Sequence, residues 1–138
     1  MPRTVYLEAA ARTQDLLTTK WILRSCGYVI ASTWHEESIP ASSGPRSHWG
    51  WQRLEEMKLC DALIVVRGQE KQIPAELAFT LGFAAARNLR VIWVGAPIEL
   101  PVCFSAIRFF ATPDEFRKQL LLESDPRQTC SSNDLLAA

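Results

Sequence analysis

Two kinds of apolar pattern alternate along the chain. Short runs rich in β-branched residues fall at 4–7, 28–34, 62–66, 90–94 and 107–110, and between most of them apolar positions recur every three or four residues. The first pattern predicts strands and the second amphipathic helices. Helices are expected at 13–25, with Leu16, Leu17, Trp21, Ile22 and Leu23 apolar, and at 49–59, with Trp51, Leu54, Met57 and Leu59. Two more follow at 74–87 and from 113 onward, the last placing Phe116, Leu120 and Leu121 on the sheet. The stretch 62–95 is organised most clearly: strand 62–66, helix 74–87, strand 90–94, then Gly95. Continuous apolar strands joined through a helix make a βαβ unit, whose parallel sheet is covered on both faces.

End signals agree with this division. Thr13 or Asp15 can cap the first helix, and Gly27 stands where a left-handed residue ends it. Thr112, Pro113 and Glu115 have the N-cap, N1 and N3 chemistry of a capping box. Residues 35–47 form a Ser/Pro/Gly-containing loop of a length that compact domains keep for function or mobility. About five parallel strands alternating with helices predict an α/β, doubly wound, flavodoxin-like three-layer fold with strand order 2-1-3-4-5. Right-handed crossovers then place the switch point between strands 1 and 3. Its lips are residues 7–12, residues 67–73 and the helix start at Pro74, with the loop after Trp34 as a side wall. One domain, 1–123, carries this pattern, and a loose tail is expected at 124–138.

Composition narrows the partners. Lys+Arg and Asp+Glu balance at 15 each, so there is no electrostatic footprint for a nucleic acid or a membrane surface. No signal peptide and no twenty-residue apolar run is present, and a cytoplasmic protein with reduced thiols is expected. Cys26, Cys60, Cys103 and Cys130 are scattered without a CxxC, beside only His35 and His48, which argues against a metal site. A GxGxxG fingerprint is missing after the first strand, and no cofactor is expected.

The candidate chemistry lies around the crevice. Glu76 opens the helix after strand 3, where an acid is either reactive or simply favoured by the helix dipole. Thr80 and Arg87 share its stripe, which faces a ligand or solvent. Glu8 at the tip of strand 1 is a ligand-facing acid or, in the slightly preferred reading, a solvated one. Arg12 offers a planar fork for a phosphate or carboxylate, or is exposed at a helix start. Trp34 stacks on a flat ligand or packs under the long loop. Gly68 permits a tight turn after strand 3, and Asp61 is a structural cap at the opposite end of the sheet. His35 and His48 titrate near neutrality, but nothing places them beside Glu76.

Taken in order, these residues resemble the nucleoside 2-deoxyribosyltransferase-like superfamily in its phage and bacterial branch. The resemblance covers roughly residues 4–118. It rests on Val5, Tyr6, Leu7, Glu8 and Ala9 with Arg12 soon after, on Gly27, Tyr28 and Val29, and on Ser32, Thr33 and Trp34. It continues through Cys60 and Asp61, then Leu81, Gly82, Phe83 and Ala84, then Val94 and Gly95, and a tail with Phe104, Ile107 to Thr112, Glu115 and Phe116. Such a likeness implies a nucleoside or nucleotide N-glycosidase or deoxyribosyltransferase-like enzyme. A helix glutamate would attack C1′ of the sugar and expel the base, leaving a glycosyl-enzyme for water or a second base. It also implies a small-molecule nucleoside or nucleotide as ligand, and a homodimer or higher homo-oligomer. The sequence departs from the pattern at the glutamate itself. Aligned on Leu81, Gly82, Phe83 and Ala84, its place is taken by Thr80; aligned on Glu76 and Leu77, the acid returns one helical turn (~5.4 Å) earlier. Glu76 is the catalytic candidate on that register, with Arg12, Glu8, Trp34, Gly68 and Thr80 as substrate-binding candidates. The alternative implied by Thr80 is a catalytically lapsed nucleotide-binding protein that senses or sequesters its ligand.

Overall fold

The computed structural model describes residues 3–9, 13–35, 46–68, 72–97 and 107–123, with only the backbone course given for 46–50. The elements run β1 (Thr4–Ala9), α1 (Gln14–Ser25), β2 (Val29–Ile30), α2 (Arg46–Lys58), β3 (Ala62–Arg67), α3 (Ala75–Ala86), β4 (Arg90–Gly95), β5 (Ile107–Phe110) and α4 (Pro113–Glu123). All strand pairs are parallel, in the order β2-β1-β3-β4-β5. The expected doubly wound sheet is therefore present. The tail at 124–138, Arg12, and most of the loop after Trp34 lie outside the described residues.

Strand parity sorts the core into two layers. Val5, Leu7, Ala62, Ile64, Val66, Ile92 and Val94 pack with Leu16, Ile22 and Leu23 of α1 and with Phe116 and Leu120 of α4. Their neighbours Tyr6, Leu63, Val65, Val91 and Trp93 pack with Met57 of α2 and with Leu77, Leu81 and Ala84 of α3. Successive side chains on a strand point to opposite faces, and each face finds its own helix pair.

Helix ends follow the local chemistry. The Thr13 hydroxyl accepts from the Leu16 amide at 3.2 Å, and Gly27 lies at φ 87° just past α1. Thr112 accepts from the Glu115 amide at 3.2 Å. The Glu115 carboxylate reaches the Ala111 amide, one residue before the one a strict capping box would use. Gly95 is needed where β4 meets β3. It sits at φ 130°, and a Cβ there would stand 1.8 Å from the Arg67 carbonyl oxygen.

Expectations for four elements need correction. β2 covers two residues rather than 28–34, because side chains take over its pairing. The Ser32 hydroxyl accepts from the Leu7 amide at 3.0 Å, and the Trp34 indole N–H donates to the Leu7 carbonyl at 2.8 Å. Both Leu7 backbone groups are thus satisfied without a longer ladder. On α1, Leu17 and Trp21 lie on the outer face, and Leu121 of α4 is likewise exposed. On α2, Met57 is buried while Trp51 and Leu59 face outward. The buried stripes are narrower than the apolar composition of these helices.

Candidate functional site

At the carboxyl ends of β1 and β3 a cavity opens, lined by Glu8, Ala9, Val65, Arg67, Pro74, Glu76 and Leu77. This is the switch point of the sheet, since β1 is followed through α1 by β2 on one side and flanked by β3 on the other. Glu8 pairs with Val65 and Ala9 with Val66, so β1 runs two residues further than expected and carries Glu8 inside the ladder. The preferred reading of Glu8 as a solvated tip residue is overturned. A strand flanked on both edges and covered on both faces buries every side chain, and Glu8 shares Tyr6's face toward α2 and α3. Its side chain is 5% exposed.

That burial has a partner from each neighbouring helix. Arg53 of α2 places Nη1 3.8 Å from Glu8 Oε2 and Nη2 3.7 Å from Glu76 Oε2, so one guanidinium spans both acids. Thr80 of α3 holds its hydroxyl 3.2 Å from Glu8 Oε2 and 2.9 Å from the Glu76 carbonyl oxygen. The two acids have unlike surroundings, since Glu76 is 78% exposed at the rim. Burial pushes the Glu8 carboxyl up to about 7, against the pull of the Arg53 cation and the Thr80 hydroxyl and with the help of the Glu76 charge. Beneath it on the same face, burial and then the Glu8 charge raise the Tyr6 phenol well above its ordinary range. The Tyr6 hydroxyl is buried and has no hydrogen-bond partner among the described residues.

The other candidates sit as follows. Thr80 is buried, while Glu76 and Arg87 on the same stripe are exposed. Arg87 caps the far end of α3 and lies over the Phe83 ring at 6.0 Å. Trp34 is half-buried, anchored through its indole N–H to Leu7 and packed against both core layers. Gly68 is exposed just past β3; the described glycines with positive φ are Gly27 and Gly95. Arg67 faces the cavity from the end of β3 and donates to the Gln72 carbonyl at 2.7 Å, closing the loop between β3 and α3. Asp61 holds the opposite end of the sheet: its carboxylate accepts from the Thr4 amide at 3.1 Å. His35 is buried with Nε2 2.9 Å from the Ser32 hydroxyl, on the β2 side of Leu7 and away from Glu76's contacts. Among the described residues no group of three His, Cys, Asp or Glu side chains could hold a metal ion. No described helix is long and apolar enough to cross a membrane.

Arg53 is the residue that sequence reasoning missed. A signal was present, because Arg53, Met57 and Cys60 recur at i, i+4 and i+7, and the latter two are buried. A cation on a buried stripe is costly unless it meets an acid. Glu56 on the same helix answers Thr33, accepting from its amide at 3.3 Å and its hydroxyl at 3.1 Å. That contact ties the segment carrying Trp34 to the helix carrying Arg53.

The fold and the site together define a doubly wound α/β domain with two unlike carboxyl groups at its switch-point crevice. Solved structures of the same fold include a 2-deoxyribosyltransferase from the psychrotolerant bacterium Bacillus psychrosaccharolyticus. It is 17% identical, with a TM-score of 0.65, and the match covers 85% of this chain and 95% of that one. A CMP N-glycosidase of Clostridium botulinum, BcmB, matches at 13% identity and a TM-score of 0.57, over 87% of this chain and 99% of the other. A conserved protein from Enterococcus faecalis V583 matches at 11% identity and a TM-score of 0.60, over 89% and 99%. At such identities the likeness establishes a shared fold. No protein-family model matches the sequence, and no curated protein does.

Proposed function

We propose that the chain is a nucleoside or nucleotide N-glycosidase or deoxyribosyltransferase-like enzyme that cleaves or exchanges a base at C1′, with Glu76 as the nucleophile. The carrying observation is the Glu76 carboxylate on the rim of the β1–β3 crevice, 3.7 Å from Arg53 and set against a second, buried acid. An accessible carboxylate at a pocket mouth can approach an anomeric carbon and capture its oxocarbenium-like charge. Shared fold with a deoxyribosyltransferase and a CMP N-glycosidase supports this chemistry over other uses of a flavodoxin-like sheet. In this reading Arg12 holds a phosphate or carboxylate of the ligand, Gly68 and Trp34 border it, and Thr80 steadies Glu8 through its hydroxyl. The protein would work in the cytoplasm as a homodimer or higher homo-oligomer, on small molecules.

Thr80 favours a second reading. Aligned on Leu81, Gly82, Phe83 and Ala84 it takes the place of the glutamate that the resemblance implies, and its hydroxyl is engaged with the protein itself. A binding protein without turnover would retain a nucleotide in stoichiometric amount and release no product. The test is base release from a panel of nucleosides and nucleoside monophosphates, followed by chromatography for wild type and Glu76→Gln. Glycosyl transfer predicts release that falls at least about 10³-fold in the variant. Equal release by the two proteins refutes Glu76 as nucleophile, and tight binding without release favours the second reading.

A further inference from the structure

The geometry points to Glu8 as the general acid–base of this crevice: it protonates the departing base and later takes a proton from the incoming water or acceptor. This inference rests on the glycosyl-transfer reading. Glu8 lines the cavity together with Glu76, so both acids face whatever occupies it. Among the described residues, Arg53 of α2, Glu76 and Thr80 of α3, Arg67 at the end of β3 and Tyr6 on β1 are polar groups around it.

Hydrogen-bond stoichiometry lets Thr80 serve Glu8 with or without its proton. The Thr80 hydroxyl has one hydrogen and two neighbouring oxygens, the Glu76 carbonyl at 2.9 Å and Glu8 Oε2 at 3.2 Å. A carbonyl can only accept. With the hydroxyl donating to the nearer carbonyl, the Glu8 contact is satisfied when a protonated carboxyl donates to Oγ1. Ionised Glu8 instead accepts the Thr80 hydrogen, a contact that draws its carboxyl down. Burial raises its carboxyl to about 7, where acid and base forms are both accessible near neutral pH. Two acids in one pocket, one buried and one at the rim, thereby divide the roles of proton donor and nucleophile.

The steps balance as follows. The C1′–N bond breaks with its electron pair going to the base, the Glu8 proton passes to that base, and a Glu76 oxygen bonds to C1′. Water or a second base then attacks C1′, its proton returns to Glu8, and the C1′–O bond to Glu76 breaks.

A leaving group that needs no proton separates the two acids. Wild type, Glu8→Gln and Glu76→Gln are assayed on purine and pyrimidine nucleosides and on nitrophenyl ribosides and deoxyribosides, whose phenolate departs unaided. Glu8→Gln should lose about 10²- to 10⁴-fold on the nucleosides, but less than about tenfold on the nitrophenyl glycosides. Glu76→Gln should fail on both. In Thr80→Val the basic limb of the kcat/KM profile should move to higher pH, because a donor to the ionised carboxyl is gone; a merely structural role would leave that limb in place. Equal losses by Glu8→Gln on both substrate types, or no loss on nucleosides, overturn the acid role and leave the nucleophile standing. Wild-type inactivity on every substrate overturns the glycosyl-transfer reading itself, and this inference with it.

Discussion

Raising the pH through neutrality titrates the buried Glu8 carboxyl, so Glu8 should leave a mark on stability with or without catalysis. Its carboxyl rises from an ordinary 4.5 to about 7 on folding, chiefly through burial. Between those values the folded chain holds a proton that the unfolded chain has released. The contribution from Glu8 is therefore fully present below about 4.5 and is lost as pH climbs through 7. At about 1.36 kcal/mol per unit, the loss between pH 5 and 8.5 is about 2–3 kcal/mol. Against a total of about 5–15 kcal/mol for a domain of this kind, that is readily measured. Glu8→Gln copies the shape of the protonated carboxyl and does not titrate. Urea unfolding of wild type and variant at both pH values cancels the titrations they share. The stability of the variant relative to wild type should rise by about 2–3 kcal/mol from pH 5 to 8.5. Arg53→Met, which removes the cation opposing the shift, should enlarge the wild-type pH dependence further. A Glu8→Gln difference that stays constant within about 0.5 kcal/mol over that range would show that the carboxyl is not held in the buried, Thr80-linked position.

Two further outcomes test the frame around the site. Gly95→Ala should cost about 3 kcal/mol or more in urea unfolding, since the added Cβ meets the Arg67 carbonyl at 1.8 Å and φ is 130°; a loss under about 1 kcal/mol would refute the close β3–β4 approach. The exposed Cys26 should react with iodoacetamide at pH 8 in the native protein, while Cys60, buried and with its thiol pushed up to about 12, should be modified only after unfolding, as peptide mapping by mass spectrometry will show.

Much of the architecture was readable because it depends on short-range signals. Strands β3 and β4 are apolar at every central position, which is what burial on both faces demands, and their ends fell within a residue or two of expectation. Thr13, Gly27 and Thr112 marked helix ends through capping chemistry that involves only neighbours in the chain. The failures came where a distant contact decides. Residues 28–34 have strand composition throughout, yet Ser32 and Trp34 meet Leu7 through side chains, which ends the ladder at Ile30. Nor does an apolar residue reveal which side of its helix is covered. Trp21 and Ile22 are adjacent in sequence and opposite in exposure, because the single sheet can cover only one side of α1.

The site was legible only in part, and the reason is the same. Glu76 could be placed at the crevice from its position in the βαβ unit alone, since a helix that follows a parallel strand begins at that strand's carboxyl end. Glu8 needed one step more. With β1 central in the order 2-1-3, a side chain on Tyr6's face is covered whatever its polarity, and the strand had only to continue past Leu7. An acid forced into that place must recruit partners, and these come from elements remote in sequence: Arg53 from α2 and Thr80 from α3. Thr80 then carries a different meaning from the one its alignment column suggests. On one register along α3, it stands where the resemblance implies a glutamate. In three dimensions its hydroxyl receives a carboxyl that arrives from β1. Absence of an acid at one helix position therefore does not empty the crevice of carboxyl groups; the position of the charge has to be traced through the sheet as well as along the helix.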